Sequence, residues 1–130
     1  LAERIFSAEM AGIDKKRIVV DPGFGFGKTT AHNMALLAQL ARFIELGVPV
    51  LAGLSRKRSI GALTGREVPA ERVAGSVAAH LIAAQNGARI LRVHDVAETV
   101  DALRILAAVE AVPKPRAATA KPTISWPDDA

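Results

Sequence analysis

The stretch Arg17–Lys28, RIVVDPGFGFGK, decides how the rest of the chain is read. Its first part, Arg17–Asp21, is a short β-branched run of the kind that forms a buried strand. An acid stands at the strand tip, Pro22 stiffens the exit, and Gly23, Gly25 and Gly27 let a ligand come close to the backbone. Two common phosphate loops are excluded by register. A nucleotide P-loop needs a glycine five positions before the Gly27-Lys28-Thr29 glycine, and that position is Pro22. A dinucleotide loop counted from Gly23 and Gly25 needs its third glycine at position 28, which is Lys28. Asp21 therefore has two readings, a turn or cap acid and a ligand-binding carboxylate. Phe24 and Phe26, set in a flexible loop, are suited to packing against a flat ligand.

Outward from this loop the sequence alternates. Residues 1–12 carry Leu1, Ile5, Ala8 and Met10 at loosely helical spacing. Residues 31–46 have Met34, Leu37, Ala41 and Ile44 on one face, and Gly47 is the expected stop. Residues 49–53 (PVLAG) form a second strand, and a polar, basic loop is expected from Leu54 to about Pro69. Residues 70–86 read as a helix with Val73, Val77, Leu81 and Ala84 facing the core, and Gly87 closes it. Residues 89–93 (RILRV) are a third strand, and residues 97–112 a helix with Val100, Leu103 and Leu106–Val109 on its apolar side. Strands poor in charge between amphipathic helices imply an α/β fold with a parallel sheet and right-handed crossovers. Three strands are few for such a sheet, so the chain is read as part of a larger α/β protein. Residues 113–130, with Pro113, Pro115, Pro122 and Pro127, are expected to be a disordered tail.

Composition narrows the function. The chain has 130 residues, half of them hydrophobic, and no cysteine, which excludes disulfides, zinc–thiolate sites and cysteine nucleophiles. Aromatics are 4% with no tyrosine, too few for a base-stacking surface, so no nucleic-acid partner is expected. The net charge of +4 suits a small anionic substrate. No apolar run reaches the ~20 residues that span a bilayer. Neither a membrane partner nor a signal peptide is expected, and the expected location is cytoplasmic.

In parallel α/β folds, ligands bind at the carboxyl ends of the strands. The second strand ends in Ser55-Arg56-Lys57-Arg58-Ser59-Ile60-Gly61. Three consecutive cations can be a solvated face, but at this place one of them should enter the pocket, and a lysine there can serve a carbonyl or an anion. The third strand ends in Arg92-Val93-His94-Asp95-Val96. Alternation puts Arg92 and His94 on the same face, a phosphate clamp, while Asp95 is placed to cap the next helix. A carboxylate, a lysine and an Arg–His pair around one mouth fit a ligand with a donor-rich nitrogen ring, a ring carbonyl and a phosphoryl group.

These three segments, Asp21–Lys28 (DPGFGFGK), Gly53–Gly61 (GLSRKRSIG) and Arg92–Val96 (RVHDV), resemble in order and separation the dihydropteroate synthases of the pterin-binding family. The resemblance covers roughly residues 1–111. It implies a partial (β/α)8 TIM barrel, its last three parallel strands with flanking helices, spanning residues 1–112. The implied reaction condenses p-aminobenzoate with 6-hydroxymethyl-7,8-dihydropterin pyrophosphate and releases pyrophosphate. By resemblance, Asp21 and Lys57 bind the pterin. Phe26, Lys57 and Ser59 border the aminobenzoate pocket, and Arg92, Val93 and His94 hold pyrophosphate. The family often has a serine directly after its lysine; here Arg58 is there and Ser59 comes one later. The resemblance also implies Mg2+, with its ligand residue in a preceding half of the barrel, and a homodimer. Little turnover is expected of these 130 residues alone. A folate-dependent methyltransferase and a non-catalytic ligand-binding module are the alternatives; the phosphate-clamp residues favour the synthase.

Overall fold

The computed structural model describes residues 1–115; the expected tail lies almost wholly outside the described residues. Five α-helices are joined by short 3-10 turns: α1 (Ala2–Met10), α2 (Thr30–Ala38), α3 (Arg58–Thr64), α4 (Val73–Gln85) and α5 (Val96–Glu110). Two strands, β1 (Leu51–Ala52) and β2 (Ile90–Leu91), pair in parallel, Leu51 opposite Ile90 and Ala52 opposite Leu91. Val20 makes a parallel bridge to Val50. The Val20 amide donates to Pro49 and the Leu51 amide to Val20, whereas Arg89 and Arg92 donate to the Val50 and Ala52 carbonyls. Because successive carbonyls of a strand point to opposite edges, Val20 and β2 flank the β1 segment on its two sides. The result is three parallel segments, as the alternation predicts, and the structure places residues 49–52 in the middle. Phe24, Leu40, Val50, Ala52, Leu54 and Ala83, each almost fully buried, form the centre of the core. Among the described residues no helix is long and apolar enough to cross a membrane.

The structure departs from the sequence reading in several places, each with a local cause. Arg17 does not start a strand: Asp14 accepts the Lys16 amide and caps a 3-10 turn over Lys15–Arg17, leaving Val20 alone in the bridge. The helix expected over 31–46 is α2 followed by a 3-10 segment, Leu40–Leu46, before Gly47 ends it with φ of 74°. The polar stretch after Leu54 is not all loop, since α3 begins at Arg58 and buries Ser59, Ile60 and Gly61. Helix α4 turns a different face inward than its aliphatic residues suggested: Ser76, Ala79, His80 and Ala83 are buried, while Val73, Val77, Leu81 and Ala84 are half-buried. On α5 only Thr99 is buried, and Val100 and Val109 of its expected apolar side are exposed.

Candidate active site

The three strand-end loops meet. From the first, the Asp21 carboxylate accepts the Gly23 amide at 2.9 Å, and its other oxygen pairs with Arg92 at 3.2 Å. The first of its two readings is thus seen, since Asp21 caps its own turn, and it also pairs with Arg92. The pair is largely exposed, so it is worth no more than about 1 kcal/mol and opens readily to a ligand. Lys28 folds back onto the Gly23 carbonyl at 2.8 Å and closes the glycine loop on itself. Phe26 is 70% exposed at the loop tip, placed to meet a ligand. Phe24 is not: it is 1% exposed and belongs to the core, because the turn that lifts Phe26 out sends its neighbour under the loop.

The three consecutive cations all border one cavity, but their partners differ. Arg56 forks onto Asp95, at 2.9 and 3.3 Å. Arg58 is exposed on the first turn of α3. Lys57 donates to the Phe24 carbonyl and stands 4.9 Å from the Phe26 ring centre, in range of cation–π attraction. Burial and the nearby charges of Arg92 and Lys28 lower the Lys57 pKa, with Asp21 opposing. Gly25 has φ of +82°, and a methyl group added there would sit 3.2 Å from the Lys57 side chain, so this glycine allows the lysine stem to lie along the loop.

The third loop supplies Arg92 and His94 together. The His94 amide and its Nδ1 both meet the Ser55 hydroxyl, at 3.1 and 2.8 Å. The Ser55 hydroxyl thus fixes the orientation of the His94 ring through Nδ1 and leaves Nε2 free of a protein partner in that contact. Asp95 stands at the cap position of α5, but its side chain caps nothing; it holds Arg56 instead, and that hydrogen bond lowers its pKa and raises that of Arg56.

Two cavities share Lys57. One, about 160 Å³, is lined by Gly53, Ser55, Lys57, Arg92, Val93 and His94. The other, about 660 Å³ and open, runs past Phe26, Lys57, Arg58 and Ser59. Lys57, Arg92 and His94 therefore line the small cavity, Asp21 lines neither cavity but pairs with Arg92, and Phe26 and Ser59 line the larger one. Asn33 was not singled out in the sequence. It is buried, accepts the Gly25 amide at 2.9 Å and donates to Ser59 Oγ at 2.8 Å, tying the first loop to the second. Ser76 and His80 were also missed; two polar residues four apart in an otherwise apolar helix were the available signal.

A family model described as pterin binding enzyme matches residues 1–94. The chain belongs to the pterin-binding enzyme family. It is 52% identical over 106 residues to the dihydropteroate synthase of Escherichia coli (strain K12), and 51% identical over 105 residues to that of Haemophilus influenzae. These matches take in 82% and 81% of this chain but 37% and 38% of those proteins, so the chain spans little more than a third of the curated relatives. A structure of dihydropteroate synthase from Xanthomonas albilineans in complex with 7,8-dihydropteroate superposes with a TM-score of 0.85 at 76% identity, covering 85% of this chain and 44% of that one. A second, from Stenotrophomonas maltophilia with active site-bound imidazole, gives 0.85 at 73% identity, covering 86% and 42%. The fold is a portion of a TIM barrel of this family, and the parallel segments described above belong to its barrel.

Proposed function

We propose that this chain carries one side of a dihydropteroate synthase site, in a reaction that joins p-aminobenzoate to 6-hydroxymethyl-7,8-dihydropterin pyrophosphate and releases pyrophosphate. The carrying observation is the position of Lys57 between a small cavity rich in anion-binding donors and a larger one walled by Phe26 and Ser59. In this reading Asp21 accepts the paired N–H groups of the pterin's amino-pyrimidine edge, and Lys57 donates to its ring carbonyl. Arg92 and His94 hold the pyrophosphate as negative charge builds on it, which lowers the barrier to C–O cleavage. The aminobenzoate nitrogen forms the new C–N bond and sheds a proton; it needs alignment more than activation, and Phe26 and Ser59 wall the space it enters. In this reading Arg58, exposed at that same cavity, is the cation available to the aminobenzoate carboxylate.

Among the described residues no group of three His, Asp or Glu side chains stands close enough to hold a metal ion. Lys57 and Arg92 in the small cavity suit an anion rather than a cation. The described residues thus do not fit a magnesium site by themselves. A folate-dependent methyltransferase shares the pterin but has no pyrophosphate to hold, so the Arg92–His94 pair speaks for the synthase.

Calorimetry on the chain with a pterin pyrophosphate analogue tests the reading. Binding should weaken at least tenfold in Asp21→Ala and in Arg92→Ala, and inorganic pyrophosphate should compete. Affinity unchanged in Asp21→Ala removes that residue from the site, and absence of competition by pyrophosphate refutes the assignment of Arg92 and His94.

A further inference from the structure

Lys57 enters the cavity from a turn with an unusual backbone. The Lys57 amide donates to the Leu54 carbonyl at 3.1 Å, so Leu54–Lys57 is a β-turn with Arg56 at its third position. Arg56 has φ of 58° and is the one non-glycine residue at positive φ among the described residues. Turns that require positive φ at the third position ordinarily have glycine or asparagine there. An arginine persists in that conformation only where its surroundings over-determine it.

Helix α4 provides those surroundings through residues spaced one turn apart. His80 Nδ1 donates to the Ser76 carbonyl, which leaves Nε2 to accept the Leu54 amide at 3.2 Å. Ser76 Oγ accepts the Arg56 amide at 2.9 Å. Arg72, at the start of the helix, donates Nη1 to the Arg56 carbonyl at 2.8 Å. Both polar groups of the Arg56 peptide backbone are therefore fixed by one helix face, while its side chain is fixed by Asp95. Arg72 lines the large cavity, where its charge alone would suggest an anion ligand. Its other two nitrogens also hold backbone carbonyls: Nε donates to that of Arg66 at 2.8 Å and Nη2 to that of Glu67 at 2.9 Å.

We infer that Arg72 and Ser76 are positioning residues: they hold Arg56 in the left-handed conformation that turns the next side chain, Lys57, into the cavity. The inference rests on the proposed role of Lys57 as a ligand-binding group. Arg72 is then a backbone clamp and not a binder of substrate anions. Lysine cannot reproduce its fork onto three carbonyls, although it keeps the charge. Glycine at position 56 needs no clamp, because positive φ costs it nothing.

The test uses the full chain and the variants Arg72→Lys and Ser76→Ala, each made also in an Arg56→Gly background. Binding of a pterin pyrophosphate analogue is followed by calorimetry, and exchange of the Lys57 amide by NMR. Each variant should weaken binding about tenfold and speed Lys57 exchange by at least as much. In the Arg56→Gly background the further loss from each variant should shrink below about threefold. Equal losses in both backgrounds, or Lys57 exchange unchanged by either variant, overturn the inference. Should the parent chain bind no analogue, the functional reading fails, and the exchange rates alone decide the clamp: faster exchange that Arg56→Gly makes insensitive to both variants supports it, and any other pattern refutes it. Ser76→Ala removes a single hydroxyl and serves where Arg72→Lys does not fold.

Discussion

Replacing Gly53 with alanine tests the small cavity with one methyl group. Gly53 follows β1, and the Arg92 guanidinium lies flat against it. An added Cβ would fall 2.6 Å from Arg92 Nη2 and 3.0 Å from its Cζ and Nε. Non-bonded heavy atoms settle near ~3.5 Å, so the guanidinium must withdraw by about 1 Å. It can do so cheaply, since it is the far end of a flexible side chain that is 55% exposed. Among the described residues the side-chain partner it risks is Asp21, in an exposed pair worth about 1 kcal/mol at most. The melting temperature should therefore fall by no more than about 5 °C. Binding should suffer more. A hydrogen bond to a charged group contributes roughly 1.5–3 kcal/mol, so displacing Arg92 should weaken pyrophosphate binding about ten- to 150-fold. Thermal unfolding by circular dichroism and calorimetry with pyrophosphate separate the two effects. Unchanged pyrophosphate affinity would refute the role given to Arg92, and a fall in melting temperature beyond about 10 °C would refute the cheap displacement.

Other substitutions should divide stability from binding in the same way. Phe24→Ala removes a core ring and should cost about 3–5 kcal/mol in urea unfolding, whereas Phe26→Ala should leave stability within about 0.5 kcal/mol and weaken aminobenzoate binding. Comparable losses of stability in the two would mean that the loop tip is packed. Asn33→Ala leaves the Gly25 amide and the Ser59 hydroxyl without their shared partner and should cost about 2–4 kcal/mol; a loss under 1 kcal/mol would show that water replaces the amide. Burial lowers the His80 pKa below its ordinary 6.5, so the folded state resists protonation there. The contribution is complete above pH 6.5 and lost as pH falls through the depressed folded value, because the unfolded chain takes up the proton first. Urea midpoints measured from pH 7 to pH 5 should decline, and His80→Gln should flatten that slope; an identical slope in the variant would exclude His80 as its source.

The order of elements and the chemistry of the three loops were legible in the sequence because both depend on local rules. β-branched runs between amphipathic helices set a parallel α/β layout, and a strand in such a sheet delivers the residues after it to one edge. Asp21, Arg92 and His94 could thus be named as candidates from position, whereas Lys57 was separated from its neighbours only by the family resemblance. What the sequence could not settle was which of several similar residues faces inward. Phe24 and Phe26 have the same local signal, but only packing under the loop separates a core ring from an exposed one. The cations Arg56, Lys57 and Arg58 are equivalent as letters, and long-range partners distinguish them: Asp95 claims the first, and the Phe24 carbonyl and Phe26 ring hold the second. Aliphatic spacing pointed to the wrong face of α4, because its buried polar residues satisfy the backbone of a turn that the sequence reads as plain loop. Local periodicity fixes where a segment can bury carbon. Hydrogen-bond demands from distant backbone decide which polar groups are drawn in with it, and those arise only when the chain has folded.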